Sequence, residues 1–357
     1  MSLRALLESL EIPIIQPPML GASDAALAIA VSRAGGLGSL AAGGLAPADI
    51  GPAIAQVRAA TDRPFTVNLL MAPKAAPDAA TVEAALQRLA PWYAEVGAPP
   101  PAAPNQFAPD FDAQFEALAA AAPPVASFAF DVLTRDQVAT LQRAGTYVLG
   151  TANTVAEARA WAEVGADGVC AQGAEAGGHH AYFLADIDDS LVGTFALVAT
   201  IRAAVDLPVV AAGGIMDGRG VAAALALGAI GAQMGTAFLM SDEATISQAW
   251  RGAIETASDD PTRRTRALTG RYARGIENRF MREMRGVERE VPAYPVQNRL
   301  TQPLRAAAAK AGDPQMLSLW AGQGVRLAER GPAADLLRRW WDEARATARE
   351  LAGRTGI

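Results

Sequence analysis

The sequence predicts an α/β fold, a closed (β/α)8 barrel carrying a helical insert and a helical C-terminal extension. Three observations predict it. Short, continuously apolar runs ending in Gly, Asn or Gln recur along the first two thirds of the chain. Alanine-rich stretches of amphipathic, helical character separate them, the pattern of a parallel sheet with helices outside. Eight such runs can be counted, the number at which a parallel sheet closes into a barrel.

The first run, 13–17, precedes a helical stretch over 24–34, and the second, 36–41, precedes one over 47–60. The third run is 65–70. Residues 72–123 are too long for a single connection and read as an insert: a helix near 81–96, a proline stretch over 98–104, and a second helix near 111–121. Such a proline stretch is extended and solvated. Strands four, five and six are expected at 125–130, 146–150 and 168–171, with a helix over 155–164. A helix over 194–204 leads to strand seven at 208–212, and one over 218–227 leads to strand eight at 232–235. Residues 1–245 therefore form the barrel with its insert. After about Ser241 the strand pattern stops, and 246–357 is expected to be mostly helical and to pack on the barrel. It includes an amphipathic helix over 333–352, in which Trp340 and Trp341 are packing residues. The competing architecture, an open doubly wound sheet, would want a Gly-x-Gly-x-x-Gly turn after its first strand. Pro17-Pro18-Met19-Leu20-Gly21 stands there instead.

Composition narrows the function. The chain is 51% hydrophobic with only 6% aromatic residues, so its core is built mainly from Ala, Val, Leu and Ile. A net charge of −6 argues against nucleic acid, whose binding needs a basic patch to displace counterions. Lysine occurs only at Lys74 and Lys310, so a Schiff-base lysine would have to be one of them, and neither lies beside the histidine loop in sequence. Cys170 is the single cysteine, which excludes an internal disulfide and suits a reducing compartment. The N-terminus lacks the basic-then-apolar order of a signal peptide, and no uninterrupted apolar run of about 18 residues suggests a membrane span. A cytoplasmic protein is expected.

The only two histidines, His179 and His180, stand side by side in Gln172-Gly173-Ala174-Glu175-Ala176-Gly177-Gly178-His179-His180, directly after the sixth strand. Histidine titrates nearest neutrality, and a glycine-rich loop lets a ligand approach the backbone, so this reads as a catalytic loop. Adjacent residues point in different directions, so His180 is read as a neighbour of the functional group. Strand seven ends in Ala212-Gly213-Gly214-Ile215 and strand eight in Gln233-Met234-Gly235-Thr236. Glycines at these two strand ends, followed by a helix N-terminus, make a phosphate cradle, with Thr236 as a hydroxyl donor. Asn68 and Gln172 end strands three and six; their amides suit the edge of a flavin or nucleobase, or else satisfy loop backbone groups. Pro17-Pro18-Met19 can lay its backbone against a flat ring or form an ordinary turn. No metal-ligand spacing and no Gly-x-Ser-x-Gly elbow occur, and Cys170, inside a strand, is read as a buried inert thiol.

Read through Pro13-Ile14-Ile15-Gln16-Pro17-Pro18-Met19, Ala34-Gly35-Gly36-Leu37-Gly38-Ser39, Phe65-Thr66-Val67-Asn68-Leu69, the Glu-Ala-Gly-Gly-His loop, Ala211-Ala212-Gly213-Gly214-Ile215, Gly231-Ala232-Gln233-Met234-Gly235-Thr236 and Thr269-Gly270-Arg271-Tyr272-Ala273-Arg274-Gly275, the chain resembles the FMN-dependent nitronate monooxygenases, formerly called 2-nitropropane dioxygenases. The resemblance implies FMN in the barrel mouth. It implies cofactor contacts from Pro18, Met19, Asn68, Gln172, Gly177, Gly178, Gly213, Gly214, Gln233, Met234, Gly235 and Thr236, with His179 as the catalytic histidine. It departs from the family at His180-Ala181, where Arg-Gly is common, and at Phe128-Ala129-Phe130-Asp131, where a glycine is more usual. The implied reaction oxidises alkyl nitronates such as propionate 3-nitronate with O2 to carbonyl compounds and nitrite or nitrate. His179 would act as general base toward a neutral nitroalkane, or, protonated, would hold a nitronate already formed. The expected partners are a small nitronate and O2, with neither nucleic acid nor membrane, and the chain acts as a monomer or homodimer. The alternatives are an NAD(P)H-dependent flavin reductase of the same superfamily acting on a quinone or enoyl thioester, a nucleotide oxidoreductase of the inosine monophosphate dehydrogenase type, for which Cys170 is poorly placed, and a flavin-binding protein without turnover.

Overall fold

A computed structural model describes residues 2–74 and 77–355. Its strands in chain order are β1 (Ile14–Ile15), β2 (Gly38–Ala41), β3 (Phe65–Leu70), β4 (Val125–Ala129), β5 (Tyr147–Ala152), β6 (Gly168–Gln172), β7 (Gly178–His179), β8 (Val209–Ala212), β9 (Gly231–Gln233), β10 (Thr262–Thr265) and β11 (Ala273–Ile276). Eight of them pair in parallel in the order β1-β9-β8-β6-β5-β4-β3-β2, and a parallel bridge between Ile15 and Leu37 joins the first to the last. The (β/α)8 barrel expected from the repeat is what forms. The strands are short but almost wholly buried, because helices cover their outer faces and side chains fill the interior.

Two apolar layers hold the barrel. Inside it, Ile15, Leu37, Val125, Leu149, Cys170 and Val210 pack together, and Leu3, Leu6 and Leu7 of helix Leu3–Glu8 join them as a plug. Outside, strand residues such as Phe65, Val67, Phe128 and Val169 meet the helices through Leu27, Ile50, Leu141, Trp161 and Leu197. The predicted helices form within three residues of their expected ends, among them Pro47–Ala60, Phe111–Ala121, Thr194–Ala204 and Gly218–Ala226. The proline stretch over 98–104 has no regular structure.

Helix Ala333–Thr355 closes the outer ring by packing on Gly218–Ala226 and Ala25–Arg33. Trp340 is buried there, edge-on to Phe238 at 5.0 Å, a packing residue as expected. Gly218 permits this contact: a Cβ on it would lie 2.2 Å from the Trp340 carbonyl oxygen and 2.4 Å from the Ala344 nitrogen. Backbone atoms cannot swing aside, so Gly218→Ala must push the two helices apart. A loss of about 3 kcal/mol is expected, read as a lower urea midpoint; an unchanged midpoint would show that this close approach does not exist in solution.

The region after Ser241 departs from the sequence reading. It contains two strands, β10 and β11, which pair antiparallel with each other, while β11 also pairs with β7 of the histidine loop. Thr-Arg-Arg-Thr and Ala-Arg-Gly-Ile carry no apolar run to reveal them. Their strand character comes from partners remote in sequence. Among the described residues, no helix is long and apolar enough to cross a membrane.

Candidate active site

At the carboxyl ends of the barrel strands lies one deep cavity, where (β/α)8 enzymes place their chemistry. Of the residues singled out from the sequence, Pro18, Met19, Asn68, Gln172, Gly177, Gly178, His179, Gly213, Gly214, Gln233, Gly235 and Thr236 all line it. Met234 does not. It points into the apolar layer outside the strands with no exposure, and its N–H donates to the Ile15 carbonyl at 3.0 Å. Strand alternation explains this: its neighbours Gln233 and Gly235 face the cavity, so Met234 faces the opposite way.

The loop after β6 is pinned from three sides. Gln172 donates from Nε2 to the His179 carbonyl at 3.0 Å and accepts the Ala181 N–H on Oε1 at 2.9 Å. Its amide is thus committed to holding the loop. Glu175 accepts from the Thr194 N–H at 2.9 Å and caps the helix that Gly193 leaves without a side-chain cap. Arg274 of β11 donates from Nη2 to the Ala174 carbonyl at 3.0 Å, while its strand pairs with Gly178 and His179. Replacing Gln172 by Leu should leave the His179 carbonyl and the Ala181 N–H unpaired, at a cost of about 1–3 kcal/mol. The expected signature is faster hydrogen exchange at the Ala181 amide.

His179 points into the cavity. Its Nε2 lies 2.9 Å from Thr269 Oγ1, and that hydroxyl donates its single proton to the Arg271 carbonyl at 3.0 Å. Thr269 must therefore accept from Nε2–H, which leaves Nδ1 as the basic nitrogen; the tautomer follows from the hydrogen bonding. Three aromatic rings surround the imidazole, with centroids of Phe130, Tyr294 and Trp320 at 5.6, 5.7 and 5.7 Å. Burial, then the nearby Arg271 and Arg305 guanidinium groups, pushes the His179 pKa down to about 3. The imidazole is accordingly neutral at physiological pH.

His180 directly follows the short strand β7. It is wholly buried, lies outside the cavity lining, and neither ring nitrogen has a hydrogen-bond partner among the described residues. Burial and the charges of Arg274, Arg264 and Arg271 push it to about 3 as well. Cys170 lines the cavity from within β6, and burial raises its thiol to about 12, which favours the protonated form over the nucleophilic thiolate.

Asn68 donates to the Ser127 carbonyl at 3.0 Å and hydroxyl at 3.2 Å, which leaves its Oδ1 free to accept. Gln233 donates weakly to Cys170 Sγ at 3.4 Å. Gly213 and Gly214 have φ of +110° and +71°, a conformation open to glycine, and so turn their backbone along the cavity wall. Thr236 Oγ1 accepts from the Gly322 N–H at 2.8 Å, so its own proton is available to a ligand.

The C-terminal region supplies what sequence reasoning missed. Tyr294, Asn298, Arg305 and Trp320 all line the cavity. Asn298 and Arg305 lie seven positions apart on helix Val296–Ala311, hence on one face, and that spacing was the available signal. Arg305 donates to Ser318 Oγ at 3.1 Å and to the Asn298 carbonyl and Oδ1 at 2.9 and 2.8 Å. Its Nε is buried with no partner. Burial lowers its pKa to about 10, so it remains a cation at neutral pH. Apart from neutral His179, Arg305 is the one ionisable basic group among the described residues lining the cavity, and no Asp or Glu faces it.

A family model described as nitronate monooxygenase matches residues 3–342. The chain is similar to the nitronate monooxygenase of Pseudomonas aeruginosa PAO1, at 44% identity over 93% of this chain and 96% of that one. It is also similar to a probable nitronate monooxygenase of Staphylococcus aureus strain Newman, at 38% identity over 92% and 93% of the two chains. Among solved structures, a nitroalkane oxidase from Streptomyces ansochromogenes matches with a TM-score of 0.88 and 44% identity, over 96% of this chain and 99% of that one. FabK from Thermotoga maritima matches with a TM-score of 0.76 and 31% identity, over 98% of each chain.

Proposed function

The chain belongs to the nitronate monooxygenase family, and from that premise we propose that it oxidises alkyl nitronates, such as propionate 3-nitronate, with O2 to carbonyl compounds and nitrite or nitrate, using FMN. The observation that carries this reading is the pairing of an oriented imidazole, held neutral by burial, with a buried guanidinium in a cavity that no Asp or Glu among the described residues faces. Such a site attracts a small oxyanion and can remove a proton beside a nitro group.

The residues present fit a flavin mononucleotide. Gly213, Gly214, Gly235 and Thr236 offer small, flexible backbone and a free hydroxyl proton to a phosphate, with the N-terminus of helix Gly218–Ala226 following four residues after Gly214. Asn68 Oδ1 offers an acceptor to the ring edge, and Pro18 and Met19 an apolar surface to its face. When bound, the flavin supplies electron acceptance and the reaction with O2.

The protein's own part is proton transfer, charge and exclusion of water. Thr269 holds His179 so that Nδ1 receives the α-proton of a neutral nitroalkane. For a nitronate already formed, Arg305 supplies a fixed positive charge at the cavity wall, while desolvation and two guanidinium groups lower the His179 pKa. The rings of Phe130, Tyr294 and Trp320 enclose the base and keep bulk water from it. A cytoplasmic location accords with the free, buried Cys170.

The test is an anaerobic absorbance spectrum of the flavin-loaded protein, mixed separately with propionate 3-nitronate and with NADH. A flavin change with the nitronate and none with NADH supports the reading. Bleaching by NADH alone would move the protein to the NAD(P)H-dependent reductases.

A further inference from the structure

Phe130 follows the last residue of β4 and has φ of +87°, a backbone conformation that glycine adopts freely and a side chain bearing Cβ resists. Only one other non-glycine residue described here, Ala122, shares that sign, and it ends a helix on the outer ring. Phe130 stands instead at the mouth of the barrel and lines the cavity. Its ring meets His179 edge-on at 5.6 Å and Tyr294 at 5.4 Å. The Arg271 guanidinium lies 4.2 Å from its centroid and is backed on its other side by Tyr182 at 4.3 Å. Arg271 is itself tethered to the His180 and Tyr182 carbonyls. A ring fixed on three sides above an unfavourable backbone is a rigid wall, and one that the fold maintains against local preference.

We propose that Phe130 sets the size limit of the substrate, confining the site to short-chain nitronates and nitroalkanes. This rests on the reading of the cavity as a nitronate site. The base must touch the α-hydrogen, so the groups on the α-carbon lie within a few ångströms of His179. Of the three rings around His179, Tyr294 and Trp320 carry polar groups, and Tyr294 interacts with the charge of Arg305, the cation proposed to meet the nitro oxygens. Phe130 alone offers a purely hydrocarbon face. The alkyl tail is therefore directed at its ring, and chain length is read there by steric fit.

Three variants, F130G, F130A and F130L, test this in the flavin-loaded protein with straight-chain primary nitronates from ethyl to hexyl. Binding of the corresponding neutral nitroalkanes, followed by the flavin absorbance change, is measured beside turnover. The wild type should discriminate against the hexyl compound. In F130G and F130A the hexyl-to-ethyl ratio of kcat/KM should rise about tenfold or more, through KM and not kcat, with F130L intermediate. Because glycine relaxes a positive φ and alanine does not, F130G should melt above F130A, the reverse of the usual order. Equal affinity of the wild type for nitrohexane and nitroethane would overturn the proposal even if every variant misfolds. An unchanged chain-length profile in folded F130G and F130A would overturn it too. If the wild type turns over no nitronate, the proposed function fails, while the binding series still decides whether Phe130 is the wall.

Discussion

His179→Asn should lower kcat/KM for neutral nitroethane by a factor of about 10²–10⁴, the usual contribution of a positioned general base, and lower turnover of ethyl nitronate far less. The nitronate has already lost the proton that Nδ1 would take. Flavin content should be unchanged, because the glycines and Thr236 that fit the phosphate do not depend on the imidazole. Equal losses on the two substrates would remove His179 from the base role and leave it a packing group among its three rings. The pH dependence follows from the same burial. With its conjugate acid held down to about 3, His179 should impose no acid limb on nitroethane turnover above about pH 5. A limb near 6.5 would mean that water reaches the ring. Stability carries the same sign. His179 and His180 are both held near 3 in the fold against 6.5 when unfolded, so their contribution is complete above 6.5. It is lost as pH falls from 6.5 toward 3, because the unfolded chain then binds protons that the native one refuses. Urea midpoints measured across that window should fall, and less steeply in a His180→Leu variant.

The second large effect is expected at Arg305. Arg305→Met keeps an apolar stem of similar length and removes the one fixed cation among the described residues that line the cavity. Losing a charge-assisted hydrogen bond to an anion costs about 1.5–3 kcal/mol, so kcat/KM for a nitronate should fall roughly 10- to 100-fold, expressed in KM. Neutral nitroethane should be affected much less. A second readout separates charge from packing: Arg305 is one of the cations that depress His179, so its removal should raise the imidazole pKa and move any acid limb upward. A variant with an unchanged KM for nitronates would place the anion elsewhere in the cavity and take the charge argument with it.

Much of the site was legible because it sits on local signals. Gly213, Gly214, Gly235 and Thr236 end two consecutive barrel strands, and a strand end followed by glycine has few other uses. His179 could be singled out because the chain has only two histidines, and of the two only His179 lines the cavity. Met234 was misplaced because it turns outward between Gln233 and Gly235, which face the cavity, and buries in the apolar layer outside the strands. Gln172 was legible as a site residue, but its amide serves the loop, because both its ends find backbone partners seven and nine residues on. Phe130 was visible only as a departure where glycine is more usual; its φ of +87° shows what that departure requires of the backbone.

Periodicity alone was enough for the barrel and most of its helices, because each strand and helix buries a face that its own residues define. Chain order was enough to put the glycine loops and His179 at one end of it. Which nitrogen of His179 is basic, and which cation answers a bound anion, depended on Thr269 and Arg305, which lie 90 and 126 positions beyond the imidazole. The strand β11 that clamps the histidine loop exists only because β7 and β10 are beside it. Such contacts have no local period to announce them. Their residues are polar, their pairing is long-range, and burial shifts their charge states only once the chain has closed around them.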